Sequence, residues 1–160
     1  MKSIIVYYSY GGNTRTVAGC LCEYLKQRGQ ADILELKALD EANSFFGQCR
    51  RAFWHTRAKI EPLKFDLSAF DLICLGTPVW AFGPAPATNI YLDQCFGLEG
   101  KEVILFTTYG SGTGNTRCLN YMQHILQSKG AKDCQRFSIQ QFKVNDKDFV
   151  LAKITTIFSK

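Results

Sequence analysis

The chain has 160 residues, of which 46% are apolar and 21% are charged, the balance of an ordinary globular domain. This length fits one domain that spans residues 1–160. No segment approaches the roughly 20 apolar residues that a membrane helix needs. The short apolar run near the N-terminus lacks the length and the cleavage site of a signal peptide. We therefore expect a cytoplasmic protein that does not enter a membrane.

The net charge of +5 comes from scattered residues and from one basic cluster. The cluster consists of Arg50, Arg51, His55, Arg57 and Lys59. No nucleic-acid-binding motif accompanies it, so nucleic acid is not an expected partner. A solvated face is the simpler interpretation, and a docking surface for an acidic protein is the alternative.

Seven cysteines are present, and no two of them form a C-x-x-C pair. An odd number without a secretion signal argues against a disulfide framework. We expect reduced thiols, most of them buried as small apolar side chains.

Five apolar or alternating segments predict strands, at residues 4–8, 31–36, 72–75, 103–106 and 134–139. Helical spacing predicts a first helix capped by Asn13 or Thr14 and ending at Gly29. Further helices are predicted at residues 42–58, 87–96 and 115–128, and a last one runs from Asn145 or Asp146 through Phe158. Strands that alternate with helices indicate an α/β fold with a parallel sheet covered on both faces.

Three loops follow the first, third and fourth predicted strands, at residues 9–14, 76–83 and 107–114. In a parallel α/β sheet these loops share the carboxyl edge, where ligands bind. The topology therefore predicts that three separate segments form one crevice.

The first loop, Ser9-Tyr10-Gly11-Gly12-Asn13-Thr14, has features that suit a phosphate. Glycines allow close backbone approach, hydroxyl and amide side chains add donors, and the following helix presents its positive end. It is neither a Walker loop nor a G-x-G-x-x-G fingerprint. A tight turn that binds nothing is the alternative.

The second and third loops suit a planar ring. Trp80 would offer a flat aromatic face, although Trp80 and Phe82 could equally be core residues. The glycines and serine of residues 110–114 allow backbone contact with the polar edge of a heterocycle. A plain surface loop is the alternative for that segment.

At this point the residues resemble the flavodoxin family. The first loop is similar to the flavodoxin phosphate loop S/T-x-T/S-G-N-T, and residues 76–81 with 84–87 and residues 107–114 resemble the second and third loops. The resemblance implies a three-layer, doubly wound fold with a five-stranded sheet of order 2-1-3-4-5, and FMN as the cofactor. Gly11 departs from it, since a hydroxyl residue is usual there, and so does the positive charge.

The resemblance also implies roles for particular residues. Ser9, Gly11, Gly12, Asn13 and Thr14 would hold the phosphate, Pro78, Val79 and Trp80 would flank the ring, and Gly110, Ser111 and Gly112 would face its pyrimidine edge. The other candidate cofactor-binding residues are Tyr10, Thr77, Ala81, Phe82, Thr108 and Tyr109. Since the flavin supplies the chemistry, neither a catalytic side chain nor a metal is expected.

Three functions remain open at this level. The leading one is an electron carrier that shuttles electrons between redox partner proteins. The second is an NAD(P)H-dependent FMN or quinone reductase, and the third is a phosphate- or nucleotide-binding module without redox chemistry. Either a monomer or a homodimer is compatible with the sequence.

Overall fold

The computed structural model describes residues 1–37 and 64–159, so the predicted helix at residues 42–58 and the basic cluster lie outside the described residues. The elements in chain order are β1 (Lys2–Tyr8), α1 (Asn13–Lys26), β2 (Gln30–Leu36), β3 (Leu72–Trp80), β4 (Gly83–Pro84), α2 (Pro86–Gln94), β5 (Glu102–Tyr109), α3 (Asn115–Ser128), β6 (Asp133–Gln140), a 3₁₀ turn (Gln141–Lys143) and α4 (Lys147–Phe158).

The long strands form one parallel sheet of order β2-β1-β3-β5-β6. The two-residue β4 pairs antiparallel with the end of β3. Without β4, the order is the predicted 2-1-3-4-5, which is confirmed. Strand order reverses between β1 and β3, so a crevice opens at their carboxyl ends.

The sheet is covered by helices on both faces, because successive strand residues point in opposite directions. Along β3, Ile73 and Leu75 join a core with α2 and α3, while Cys74 joins a second core with α1 and α4. These two cores make the three-layer arrangement. Among the described residues, no helix has both the length and the apolar character needed to cross a membrane.

Gly76 leaves room on β3 for an aromatic ring of β5. It is the register partner of Phe106, whose ring lies where a methyl group on residue 76 would be. That ring is fully buried and stacks on Phe137, with 5.6 Å between centroids and 14° between planes. Because the ring is confined on both sides, it has little room to yield to a larger residue at position 76.

The predicted N-terminal capping residue is confirmed for α4 and is wrong for α1. Asp146 caps α4, since its Oδ1 accepts a hydrogen bond from Phe149 N at 3.0 Å. The prediction that Asn13 or Thr14 caps α1 is wrong: the capping residue is Gly12, at φ 89°. Ser9 Oγ instead accepts from Arg15 N at 3.2 Å, so a side chain outside the helix satisfies its first turn.

Two strands continue beyond their predicted ends. β3 runs on through Trp80 and β5 through Tyr109, so parts of the second and third predicted loops are strand. The ladder explains the extension, because Pro78 still pairs with Thr108 in register. Pairing with a neighbouring strand therefore outweighs the low strand propensity of Gly76 and Pro78.

Six cysteines lie in the described residues, and all six are free and buried, as expected. Burial raises the pKa of the Cys95 and Cys134 thiols to about 11, and that of Cys74 higher still. Low access and a small thiolate fraction both slow thiol reagents.

The six buried thiols predict a slow reaction with a thiol reagent. Cys49 lies outside the described residues, so we choose the C49S variant. We expect its native thiols to react with a disulfide reagent at least about 100-fold more slowly than the same thiols in denaturant. A fast-reacting thiol in native C49S would contradict the burial of these six cysteines.

Candidate functional site

A cleft of about 450 Å³ lies at the carboxyl edge of the sheet, and residues from all three predicted loops line it. This volume lies within the range of small-molecule sites. Of the predicted residues, those that line it are Ser9, Tyr10, Gly11, Asn13, Thr14, Pro78, Val79, Trp80, Ala81, Thr108, Tyr109, Gly110 and Ser111.

Four predicted residues lie outside this lining: Gly12, Thr77, Phe82 and Gly112. One lining residue was missed, Gln141, in the 3₁₀ turn after β6. Its side-chain amide lies against the backbone of Gly110. A glutamine that follows a strand carries no signal in a single sequence, so only the tertiary structure places it here.

The first loop offers several hydrogen-bond donors to the cleft. Within the described residues, the backbone N–H groups of Gly11, Gly12, Asn13 and Thr14 donate to no protein acceptor. They belong to the N-terminal end of α1, whose dipole favours an anion. No atom lies within 4 Å of the position that a side chain on Gly11 or Gly12 would take. The loop therefore leaves an open cradle of donors.

A hydrogen bond joins the first and third loops. Thr14 Oγ1 and Thr108 Oγ1 lie 2.8 Å apart, and both residues are buried. Either hydroxyl can be the donor. When Thr108 donates, the Thr14 proton is available to a ligand in the cleft.

Thr77 anchors the second loop through buried hydrogen bonds. Its Oγ1 accepts hydrogen bonds from Ala85 N at 3.0 Å and Thr88 Oγ1 at 3.1 Å, and donates to Pro78 O at 3.1 Å. The residue is fully buried. Thr77 thus ties the end of β3 to the start of α2 rather than lining the cleft.

The second loop turns back in a strained hairpin. Trp80 pairs with Gly83, and the two residues between them, Ala81 and Phe82, have φ of 46° and 68°. Positive φ at both central positions is the pattern of a type I′ turn, which favours Asn and Gly. Non-glycine residues in this region cost on the order of 1–3 kcal/mol each.

Trp80 is a wall of the cleft and also part of the core. Its side chain is only 5% exposed. The rings of Tyr8 and Tyr10 meet it edge-on, at centroid distances of 5.7 Å and 5.6 Å. Tyr10 is 49% exposed, so it is the more open of the aromatic rings at this wall.

The positive charge of Arg15, the residue that follows the first loop, is already paired. Arg15 Nη2 lies 2.6 Å from Glu35 Oε1, which ties α1 to β2. That hydrogen bond raises the pKa of Arg15, and burial, followed by the nearby Glu35 carboxylate, raises the pKa of the Tyr7 hydroxyl. Among the described residues, the attraction of the loop for an anion therefore comes mainly from backbone N–H groups.

The family model for NADPH-dependent FMN reductases matches residues 1–143, which include all three loops. The chain belongs to the NADPH-dependent FMN reductase family. FMN is the cofactor of this family, so the alternative of a phosphate-binding module without redox chemistry is set aside. A comparison with the sequences of curated proteins finds no match.

Solved structures show the same fold. A flavoprotein from Lactobacillus acidophilus NCFM in complex with FMN is 20% identical over 92% of this chain and 98% of that chain, with a TM-score of 0.68. An NADH:FMN oxidoreductase in its apo form is 18% identical over 99% of this chain and 87% of that chain, with a TM-score of 0.67. Flavodoxin 1 from Bacillus cereus is 17% identical over 98% of both chains, with a TM-score of 0.60.

The donor set of the cleft fits the cofactor of an FMN reductase family member. A phosphate accepts many hydrogen bonds, and the N-terminal end of α1 presents unpaired N–H groups beside the hydroxyl of Ser9. The wall formed by Val79 and Trp80 is apolar, as a flat heterocycle requires. Among the residues that the structure describes, no cluster of side chains could hold a metal ion.

Proposed function

We propose that this chain is an oxidoreductase that binds FMN in the cleft and accepts electrons from NAD(P)H. The family match over residues 1–143 carries the proposal, because it spans every segment that lines the cleft. Bound FMN would supply the redox chemistry, because its ring system can take up a hydride from a nicotinamide. This chemistry requires no side chain of the cleft to act as an acid, a base or a nucleophile.

The first loop would bind the phosphate. The N–H groups of Gly11 to Thr14 would donate to its oxygens, aided by the Asn13 amide and the hydroxyls of Ser9 and Thr14. Since Arg15 is paired with Glu35, it would contribute little charge.

The second and third loops would hold the ring. Pro78, Val79 and Trp80 would form an apolar wall, while the backbone of residues 110–111 would contact the polar edge. Gln141 would add an amide close to that edge, because it lies against Gly110. These contacts orient the ring and exclude water from one side.

A second candidate is an electron carrier between proteins. It is favoured by the overlap with flavodoxin 1 from Bacillus cereus, which covers 98% of both chains. In this case, electrons would reach the flavin from a partner protein rather than from a nicotinamide.

One experiment separates these candidates. The purified protein is loaded with FMN, and NADH or NADPH is added under anaerobic conditions while the visible flavin bands are followed. Rapid bleaching without a partner protein supports the reductase. If neither nucleotide bleaches the flavin, although dithionite does, the reductase proposal is wrong and the carrier is favoured. A chain that takes up no FMN contradicts both.

Restoring a hydroxyl at Gly11 is expected to tighten FMN binding. The space beside Gly11 is open, and its φ is outside the left-handed region, so Ser fits without strain. One added hydrogen bond to the phosphate is expected to lower the dissociation constant of G11S about fivefold, or about 1 kcal/mol. Titration with FMN, followed by the quenching of flavin fluorescence, measures the effect.

G11A is the matched control for this substitution, because it adds a carbon without a hydroxyl. Equal tightening in G11A and G11S would mean that the gain comes from chain stiffness and that the added hydroxyl makes no hydrogen bond to the phosphate.

A further inference from the structure

Phe82 does not line the cleft, yet it occupies a costly backbone conformation beside it. It follows Ala81 in the type I′ turn, at φ 68°, and its side chain is 46% exposed. Because nearly half of the side chain faces solvent, burial of the ring in the core does not offset the cost of this backbone conformation. Strained residues persist where the surrounding structure imposes them, and such sites are frequently functional.

The contact that Phe82 makes is with the third loop. A side chain on Gly114 would overlap the Phe82 ring and crowd its Cα, so the two residues lie in close contact. Gly114 is the residue that precedes α3, at φ 88°, and β4 packs against α3 in the same region. The strained turn therefore places Phe82 over the start of α3.

Few other contacts hold the third loop. Between Gly110 and Gly114, the described residues give a hydrogen bond from Gln140 Nε2 to Gly110 O at 3.0 Å and one between the hydroxyls of Ser111 and Thr113 at 3.2 Å. A third runs from Cys118 N to Gly114 O at 2.9 Å and belongs to the first turn of α3, so it holds the end of the loop and not its middle. Ser111, Gly112 and Thr113 are exposed. A loop of this kind opens readily unless another segment covers it.

We propose that Phe82 is a positioning residue that clamps the Gly110–Gly114 loop in the conformation that receives the flavin ring. The ring covers Gly114, and the left-handed backbone at Ala81 and Phe82 aims it there. The clamp acts through the loop, since Phe82 itself is absent from the cleft lining. This inference rests on the proposal that the cleft holds FMN.

The test compares F82G with F82Y and A81G. Glycine at position 82 relaxes the turn and removes the ring, tyrosine keeps the ring in the same backbone, and A81G relaxes the turn while Phe82 stays. Amide hydrogen exchange of residues 110–116 in the apoprotein reports loop opening. Titration with FMN gives the dissociation constant, and thermal unfolding reports stability.

We expect F82G to keep or raise the melting temperature by about 2–4 °C, because the strain is relieved. F82G should nevertheless speed amide hydrogen exchange in the loop about tenfold, because the loop opens more often. It should also weaken FMN binding about tenfold, because the ligand must then order the loop. F82Y is expected to behave like the natural chain. A81G is expected to gain melting temperature with a much smaller change in exchange and affinity than F82G.

A purely structural role would lower the melting temperature and the affinity together, so weaker FMN binding without a lower melting temperature in F82G supports the clamp, and a lower melting temperature with weaker binding contradicts it. Exchange and affinity within twofold of the natural chain in F82G would overturn it, and so would faster exchange without weaker binding. If the natural chain binds no FMN, the proposed function fails, and the exchange measurement still decides whether Phe82 holds the loop.

G114A and G112A give an independent check. Both glycines have left-handed φ, 88° and 81°, but only a methyl on Gly114 would meet Phe82. Alanine is strained by the backbone at both positions, but only at residue 114 does it also meet Phe82. We therefore expect G114A to weaken FMN binding more than G112A does. Removing the Phe82 ring, in F82G/G114A compared with F82G, is expected to reduce the additional effect of G114A. Equal effects of the two alanines would contradict the contact.

Discussion

Replacing Trp80 with Ala is expected to lower the free energy of unfolding of the apoprotein by about 3–5 kcal/mol. The side chain is 5% exposed and contacts the rings of Tyr8 and Tyr10, so its removal leaves a cavity beside them. If the ring also contacts the flavin, FMN binding weakens by a further roughly 1–3 kcal/mol. Urea unfolding and FMN titration measure the two effects separately.

W80F separates the two roles of Trp80. Phenylalanine keeps most of the apolar contact with the tyrosine rings, so its loss of stability is expected to be well below that of W80A. A loss of less than about 1 kcal/mol in W80A would contradict the packing. Unchanged affinity for FMN in both variants would reject contact between residue 80 and the flavin.

Replacing Thr77 with Val is expected to destabilise the chain by about 2–4 kcal/mol, although the two side chains have nearly the same shape. The hydroxyl accepts from Ala85 N and Thr88 Oγ1, and both donors are buried. Valine leaves these donors without an acceptor in a region closed to water. Because Thr77 anchors the second loop, affinity for FMN is expected to fall as well.

T88V is the matched control for T77V. It removes one donor to Thr77 but keeps the acceptor for Ala85 N, so its cost is expected to be about 1 kcal/mol. Chemical denaturation of the two variants gives the comparison. Equal losses would show that the contact between Ala85 and Thr77 does not hold the loop.

The sequence predicts helices and strands well where the pattern of buried apolar residues is enough to define them. The helix at Asn115–Ser128 matches its prediction at both ends, because an apolar stripe and the flanking glycines mark it. Strand cores are equally clear from their apolar runs. The end of β3 is not clear from the sequence, since Thr77 and Pro78 continue the strand by pairing with β5, and Val79 and Trp80 continue it by pairing with β4.

The candidate site was predictable in outline, because the order of strands and loops decides which segments meet at one edge. The contacts between those segments could not be predicted from the sequence. Ala81 and Phe82 lack the Asn-Gly signature of a type I′ turn, so nothing local indicates the hairpin. The inward position of Thr77 likewise depends on Ala85 and Thr88, which it meets only after folding.

The hydrogen bond between Thr14 and Thr108 has a kinetic consequence. β3 lies between β1 and β5, so this bond spans the middle strand and fixes the separation of the first and third loops before a ligand arrives. Most of the entropic cost of holding these two loops at a fixed distance is then met during folding and not during FMN binding. Uptake of FMN by the apoprotein is accordingly expected as a single fast phase, and T108V is expected to add a slower one.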